Sequence, residues 1–108
     1  MPMPGLAVII VNYNTRDLLA ECLRSVYASR TSFPFHAIVV DNRSTDGSAD
    51  MVRSRFSEAT LLLSDRNGGF GYGNNLALRW LAAQPALPQP DDRTVVQVSG
   101  PPLRRRML

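Results

Sequence analysis

The chain has 108 residues, which allows one compact domain and is short for an enzyme that binds two substrates. Its formal net charge is +3 and all its basic residues are arginine, but residues 91–108 contribute +2 of that charge (four arginines minus two aspartates), so no basic stripe for nucleic acid is predicted along the body. The single cysteine, Cys22, excludes an internal disulfide and a cysteine-based zinc site.

The amino-terminal segment does not resemble a targeting signal. Residues 1–5 carry no basic side chain, and the apolar run at 6–11 is too short for a signal peptide or a membrane span. A lone cysteine suits a reducing compartment. We therefore expect a cytoplasmic protein without a transmembrane segment.

Three strand–helix units are predicted in succession. Apolar, β-branched runs predict strands at 6–11, 35–40 and 60–63. Apolar residues at helical spacing predict helices at 16–28, at 48–56, and from Asn74 onward. Strands that alternate with helices favour a mostly parallel sheet with right-handed crossovers. The fold class is therefore α/β, with a Rossmann-like doubly wound sheet.

The composition changes after residue 84. Five prolines punctuate the remaining segment, whose only strand candidate is 94–98. We therefore predict an α/β domain over residues 1–84 and a proline- and arginine-rich tail over 85–108 with little stable structure.

Polar side chains follow the first two strands. Asn12, Tyr13 and Asn14 end the first, and Asp41 ends the second. Because neighbouring parallel strands meet at their carboxyl ends, we expect Tyr13 and Asp41 to face one hollow. There the Tyr13 ring could stack on a base, Asp41 could accept a hydrogen bond from base or ribose, and Asn12 could contact the ribose. The structural alternative is that Asp41 turns its loop while Asn14 or Thr15 caps the next helix.

A glycine-rich segment follows the third strand. Residues 67–73 hold four of the seven glycines, and a helix is predicted to begin just behind them at Asn74. Backbone N–H groups in such a loop could approach a diphosphate, although Asn67-Gly68 is equally a common tight turn. The segment is neither G-x-G-x-x-G nor a P-loop, which would need a lysine, so dinucleotide oxidoreductases and P-loop NTPases are not supported.

Three sequence blocks, taken in order, resemble the family 2 glycosyltransferases with the GT-A fold, particularly their rhamnosyltransferase-like branch. The blocks are V-N-Y-N at 11–14, V-D-N-R-S-T-D-G-S at 40–48 and N-G-G-F-G-Y-G-N-N at 67–75. The resemblance, which covers residues 6 to about 82, implies sugar transfer from a UDP- or dTDP-sugar to a hydroxyl acceptor with the help of Mg²⁺ or Mn²⁺. It implies nucleotide binding by Tyr13, Asp41, Asn67, Gly68, Gly69 and Asn74.

The chain departs from the family pattern after the fourth strand candidate. The family places an aspartate-containing metal motif there, whereas residues 99–102 read S-G-P-P without a carboxylate. No residue matches the family's catalytic base, so no catalytic or metal-binding residue is assigned. The resemblance thus implies a truncated, nucleotide-binding half with little or no transferase activity alone. The alternatives are a non-catalytic nucleotide-binding module and an interaction fragment whose arginine run at 104–106 contacts acidic partners.

Overall fold

The computed structural model of the protein describes residues 6–29 and 35–85, together with the backbone of 95–99. Its strands are β1 (Leu6–Asn12), β2 (Phe35–Asp41), β3 (Thr60–Leu63) and β4 (Val95–Ser99). Its helices are α1 (Arg16–Ala28), α2 (Ser48–Arg55) and α3 (Gly69–Ala82). The strand bounds agree with the predicted ones to within one residue at each end, because long β-branched runs leave little choice of element type.

The four strands form one parallel sheet in the order β3-β2-β1-β4. β1 and β2 pair along their whole length, from Leu6 opposite Phe35 to Asn12 opposite Asp41. The chain first adds strands on one side of β1 and then crosses over to add β4 on the other side. Such a reversal point opens a crevice at the carboxyl ends of the strands, where ligands of open α/β sheets bind.

Successive residues of the central strands feed two separate apolar layers. Val8, Ile10 and Val39 pack with α1 and α2 on one face of the sheet. Ile9 and Ile38 point the other way and pack with α3. Because side chains alternate along a strand, a continuous apolar run is required when both faces are covered. The predicted doubly wound α/β fold is confirmed.

The third helix begins earlier than the sequence predicts. We expected the glycines at 68–73 to form a loop and Asn74 to cap the helix, but α3 starts at Gly69. Glycine disfavours helix interiors on entropic grounds. Gly73 packs closely, since a Cβ atom there would lie 2.8 Å from Val11 Cγ1, whereas Gly69 and Gly71 have open space at that position. The glycine-rich segment is nevertheless largely the first turn of a helix.

The strand candidate in the tail forms β4, which pairs with the open edge of β1. The expectation of little stable structure after residue 84 therefore does not describe these five residues. Three valines favour an extended backbone, and the edge of β1 offers unpaired hydrogen-bonding groups. The rest of the predicted tail, at 86–94 and 100–108, lies outside the described residues, and the boundary at residue 84 stays a prediction.

Candidate functional site

A hydrogen bond between two side chains joins the carboxyl ends of β1 and β2. Asn12 and Asp41 are the last residues of the two strands and lie opposite each other in the register. Asn12 Nδ2 donates to Asp41 Oδ1 over 3.0 Å. Only 1% of Asn12 and 3% of Asp41 is exposed to solvent. Since an enclosed carboxylate needs hydrogen-bond donors, this amide is part of what makes the buried charge tolerable.

Ser44 supplies the other donors to the Asp41 carboxylate. The Ser44 backbone N–H donates to Oδ2 over 2.9 Å, and its hydroxyl donates to Oδ1 over 2.7 Å. Together with Asn12, these donors occupy three of the four acceptor positions of the carboxylate and leave one on Oδ2. Asp41 therefore turns its loop, as the structural alternative expects, and any contact with a nucleotide depends on the one remaining position.

The loops that follow β1 and β2 are tied to each other through Asn14. The Ser44 hydroxyl accepts the backbone N–H of Asn14 over 2.8 Å. In return, Asn14 Oδ1 accepts the backbone N–H of Thr45 over 2.8 Å. Asn14 adopts a left-handed backbone conformation with φ of 52°. The side chain of Asn14 thus reaches across to the second loop.

Asp46 caps two helices with one carboxylate. Arg16 and Ser48 are the first residues of α1 and α2, and their backbone N–H groups donate to Oδ2 and Oδ1 over 2.9 and 3.0 Å. Thr15 is at the N-cap position of α1, as expected, but the side-chain cap bond comes from Asp46 and not from Asn14 or Thr15. Partial burial tends to raise the pKa of Asp46, but the hydrogen bonds from Ser48 and Arg16 outweigh it and lower that pKa.

Tyr13 is the accessible aromatic residue at these strand ends. It directly follows the Asn12–Asp41 pair, and 46% of it is exposed. Both of its neighbours in sequence are held in place by hydrogen bonds: Asn12 donates to Asp41 at the end of β2, and Asn14 donates to Ser44 in the loop that follows. The structure therefore brings Tyr13 and Asp41 to the same edge of the sheet, while the tyrosine is open to solvent and the carboxylate is enclosed.

Asn42, to which the sequence assigned no role, joins the third loop to this cluster. Its Nδ2 donates to the carbonyl oxygen of Gly69, the first residue of α3, over 3.1 Å. A Cβ atom at Gly73 would lie 2.8 Å from Val11 Cγ1 and 3.4 Å from the Asn42 amide, so α3 approaches closely. Asn42 Oδ1 is enclosed, and no described residue donates to it. The only sequence signal was its place in the polar segment after a buried strand.

The remaining predicted site residues lie where α3 begins. Asn67 Oδ1 accepts the backbone N–H of Gly69 over 3.3 Å, and Gly69 has φ of 87°, which favours glycine. A Cβ atom at Gly68 would come within 2.5 Å of the Tyr72 ring. Asn74 is half-buried in the second turn of α3. Contact with the Tyr72 ring accounts for Gly68 and the positive φ accounts for Gly69, so their role at a diphosphate stays a prediction.

A charged cluster borders the same edge of the sheet. The Tyr72 hydroxyl donates to Asp65 Oδ1 over 2.6 Å, which lowers the pKa of Asp65 and raises that of Tyr72. The guanidinium of Arg66 lies 4.5 Å from the centre of the Tyr72 ring, and Arg43 Nη1 donates to the Asp65 carbonyl oxygen over 3.0 Å. These contacts connect the loop after β2 to the loop after β3.

The described residues do not form a divalent cation site. Among them, no group of three or more His, Cys, Asp or Glu side chains lies close enough to hold a metal ion. Asp41, the carboxylate at the centre of the cluster, already accepts three hydrogen bonds from the protein. Mg²⁺ and Mn²⁺ prefer several oxygen ligands. The part of the chain that the structure describes therefore does not fit the metal that the family resemblance implies.

Comparison with known sequence families gives a match over most of the described chain. The family described as Glycosyl transferase family 2 matches residues 7–84, which include β1 to β3 and all three loops. This chain belongs to glycosyl transferase family 2. The resemblance noted from the three sequence blocks is thereby confirmed.

Individual glycosyltransferases agree with the family assignment. An uncharacterised glycosyltransferase of Bacillus subtilis, YfnE, is 36% identical over 75 residues, which span 68% of this chain and 19% of YfnE. The mannosyltransferase PcManGT of Pyrobaculum calidifontis, solved with GDP-Man and Mn²⁺, superimposes with a TM-score of 0.62 at 31% identity, over 72% of this chain and 24% of that chain.

A second solved structure shares the fold over a larger part of this chain. TarS 1–349 of S. aureus superimposes with a TM-score of 0.64 at 27% identity, over 89% of this chain and 27% of that chain. This chain therefore spans about a fifth to a quarter of the length of these relatives. Within the described residues, none of the helices has the length and apolar character needed to cross a membrane.

Proposed function

We propose that this family 2 chain binds the nucleotide of a sugar-nucleotide donor, as part of a transfer of the sugar to a hydroxyl acceptor. The observation that carries the proposal is the connected edge of the sheet: side-chain hydrogen bonds tie the loop after β1 to the loop after β2, and that loop to the start of α3. Such preorganised polar loops at the carboxyl ends of parallel strands suit a nucleotide.

Each residue of the cluster has a proposed task. Tyr13 offers an exposed ring on which a base can stack, and the Asn12–Asp41 hydrogen bond joins the two strand ends next to it. The remaining acceptor position on Asp41 Oδ2 would accept a hydrogen bond from the base or the ribose. The segment of Asn67, Gly68, Gly69 and Asn74 would border the sugar diphosphate, next to the N-terminus of α3.

The donor nucleotide is proposed to be UDP or dTDP. Uracil and thymine each present a ring N–H, which matches the one acceptor position that remains on Asp41 Oδ2. GDP is the competing donor nucleotide, because PcManGT was solved with GDP-Man. Guanine also presents ring and exocyclic N–H groups, so direct measurement must choose among the three nucleotides.

A non-catalytic nucleotide-binding module is the second candidate. It is favoured by the poor fit of the described residues to a divalent cation. A module of this kind would bind nucleotide equally well with and without Mn²⁺. A working donor site, in contrast, would bind more tightly when the ion bridges the diphosphate.

Calorimetric titration of the full chain with UDP, dTDP and GDP, each with and without Mn²⁺, tests both candidates. We expect measurable binding of UDP or dTDP by the wild-type chain. Tyr13→Ala should weaken it about tenfold, the usual cost of losing one stacked base, while Tyr13→Phe should retain it. Failure of the wild-type chain to bind any of the three nucleotides would overturn the proposed function.

A further inference from the structure

Asn14 holds an uncommon backbone conformation at the point where the chain leaves Tyr13. Its φ of 52° lies in the left-handed region, which asparagine tolerates better than most residues. This conformation sets the direction of the chain between Tyr13 and the start of α1 at Arg16. The contacts that hold Asn14 therefore also restrain the backbone that follows Tyr13.

Asn14 is held entirely by the other loop. Its backbone N–H donates to the Ser44 hydroxyl, and its Oδ1 accepts the backbone N–H of Thr45, each over 2.8 Å. The Ser44 hydroxyl in turn donates to Asp41 Oδ1. One chain of hydrogen bonds thus runs from the buried end of β2 to the residue that follows Tyr13.

The capping explanation for Asn14 does not fit these contacts, because the first N–H of α1 donates to Asp46 instead. The amide oxygen of Asn14 accepts the N–H of Thr45, which directs the side chain to the second loop, while its Nδ2 group is the one that could still contact a ligand. Since Asn14 is exposed, the two hydrogen bonds and the tolerance of asparagine for positive φ are the features that its position requires.

We infer that Asn14 and Ser44 are positioning residues, which fix the backbone directly after Tyr13 at the carboxyl ends of the strands and so preorganise the nucleotide site. The inference rests on the proposed function for the role of Tyr13. Neither residue needs to touch the nucleotide, because both act through the backbone that follows the tyrosine. Preorganisation of this kind raises affinity by removing the cost of ordering a loop on binding.

Substitutions at Asn14 separate its two contributions. Asn14→Asp retains an acceptor oxygen and tolerance of positive φ, so nucleotide affinity should stay within about twofold of wild type. Asn14→Gly retains only the conformation and should weaken binding about threefold, and Asn14→Ala should weaken it about tenfold because it loses both features. Asn75→Ala, at an exposed position on α3, is the matched control and should leave the affinity unchanged.

A double-mutant cycle shows whether Asn14 acts through Tyr13. In the Tyr13→Ala background, Asn14→Ala should cause no further loss of affinity, since there is no ring left to position. Equal losses in the two backgrounds would mean that Asn14 contacts the nucleotide or supports the fold generally, and either result would overturn the inference. Calorimetry with the nucleotide that the wild-type chain binds provides the numbers.

Hydrogen–deuterium exchange tests the inference without any nucleotide. Ser44→Ala should remove protection from the backbone N–H of Asn14, and Asn14→Ala from that of Thr45, while Ser54→Ala, at an exposed serine of α2, should change neither. If the wild-type chain binds no nucleotide, the proposed function fails and exchange alone decides the positioning. Unchanged protection of both N–H groups in the variants would overturn it.

Discussion

The two ends of the sheet are closed in opposite ways. At the amino end, aromatic rings do the work: the Tyr27 ring lies 5.2 Å from Phe35 and 6.2 Å from Phe56, and the Trp80 ring stacks on His36 at 6.0 Å. At the carboxyl end, short polar side chains bond to one another and to backbone groups. The first arrangement buries apolar area, and the second holds loops in position at a cost in desolvation.

We therefore expect that stability and nucleotide binding can be altered separately in this chain. Apolar contacts at the amino end are non-directional, so their loss should lower stability without moving the distant loops. Hydrogen bonds at the carboxyl end are directional and shared among three loops, so their loss should affect both properties. Substitutions at the two ends of the sheet test this separation.

Removal of the central carboxylate should have the largest effect. Asp41→Ala leaves the donors of Asn12 and Ser44 without their acceptor, so we expect the free energy of unfolding to fall by about 3 kcal/mol and nucleotide binding to be lost. Urea denaturation and calorimetry measure the two effects. Asp50→Ala, which removes an exposed pair with Arg53 and a carboxylate in the first turn of α2, should cost less than about 1 kcal/mol. Similar losses in both variants would contradict the importance of the cluster.

Removal of a ring at the amino end should affect stability alone. Phe56 is half-buried against the apolar layer under α1 and α2, so Phe56→Ala should lower the free energy of unfolding by about 2 kcal/mol. The affinity of the folded molecules for nucleotide should not change. A Phe56→Leu variant retains much of the buried area and should lose less than half as much. A loss of affinity in Phe56→Ala would show that the two ends are coupled.

Two glycines of α3 test how closely this helix approaches the carboxyl end of β1. A methyl group at Gly73 meets Val11 at 2.8 Å, so Gly73→Ala should lower the free energy of unfolding by about 1 to 2 kcal/mol. Gly71 has open space around the same position, and Gly71→Ala should raise stability by up to about 1 kcal/mol through helix propensity. Thermal denaturation of the two variants measures both effects, and a Gly73→Ala variant as stable as the wild-type chain would refute the close approach of α3 to β1.

His36, at the amino end of the sheet, and Asp46, at the carboxyl end, should make the free energy of unfolding depend on pH in different ranges. Burial lowers the pKa of His36 below its usual 6.5, so the unfolded chain takes up a proton first and stability falls as the pH drops below about 6.5. The pKa of Asp46 is lowered below 3.8, so its contribution is complete above that pH and is lost as the pH falls through the lower folded value.

Two variants assign these pH ranges to their residues. His36→Gln should flatten the pH dependence of the thermal midpoint near neutrality, and Asp46→Asn should reduce it only in the acid range. Both effects should be smaller than those of the preceding variants, because each group is only partly enclosed. An unchanged pH profile in either variant would contradict the environment described for that residue.

Local sequence patterns were sufficient to predict the strands, the first two helices, the fold class and the family. Apolar runs in β1, β2 and β3 and the helical spacing in α1 are local patterns, so their bounds agree with the structure almost residue for residue. Asn12 and Asp41 were found together because parallel strands bring their carboxyl ends to one edge. These predictions succeeded since each depends only on neighbouring residues or on a general rule of sheet topology.

The hydrogen-bond partners of the polar side chains, in contrast, depend on the tertiary structure. Asn14, Asp46 and Asn42 are all short polar residues near element ends, where sequence predicts local caps and turns. Each bonds to a segment roughly 30 residues away along the chain, and Asp46 in addition caps α2 locally at Ser48. The pairing of 95–99 with β1 is likewise a long-range contact. Long-range contacts of this kind depend on how completed elements approach one another, which a pattern of neighbouring residues does not encode.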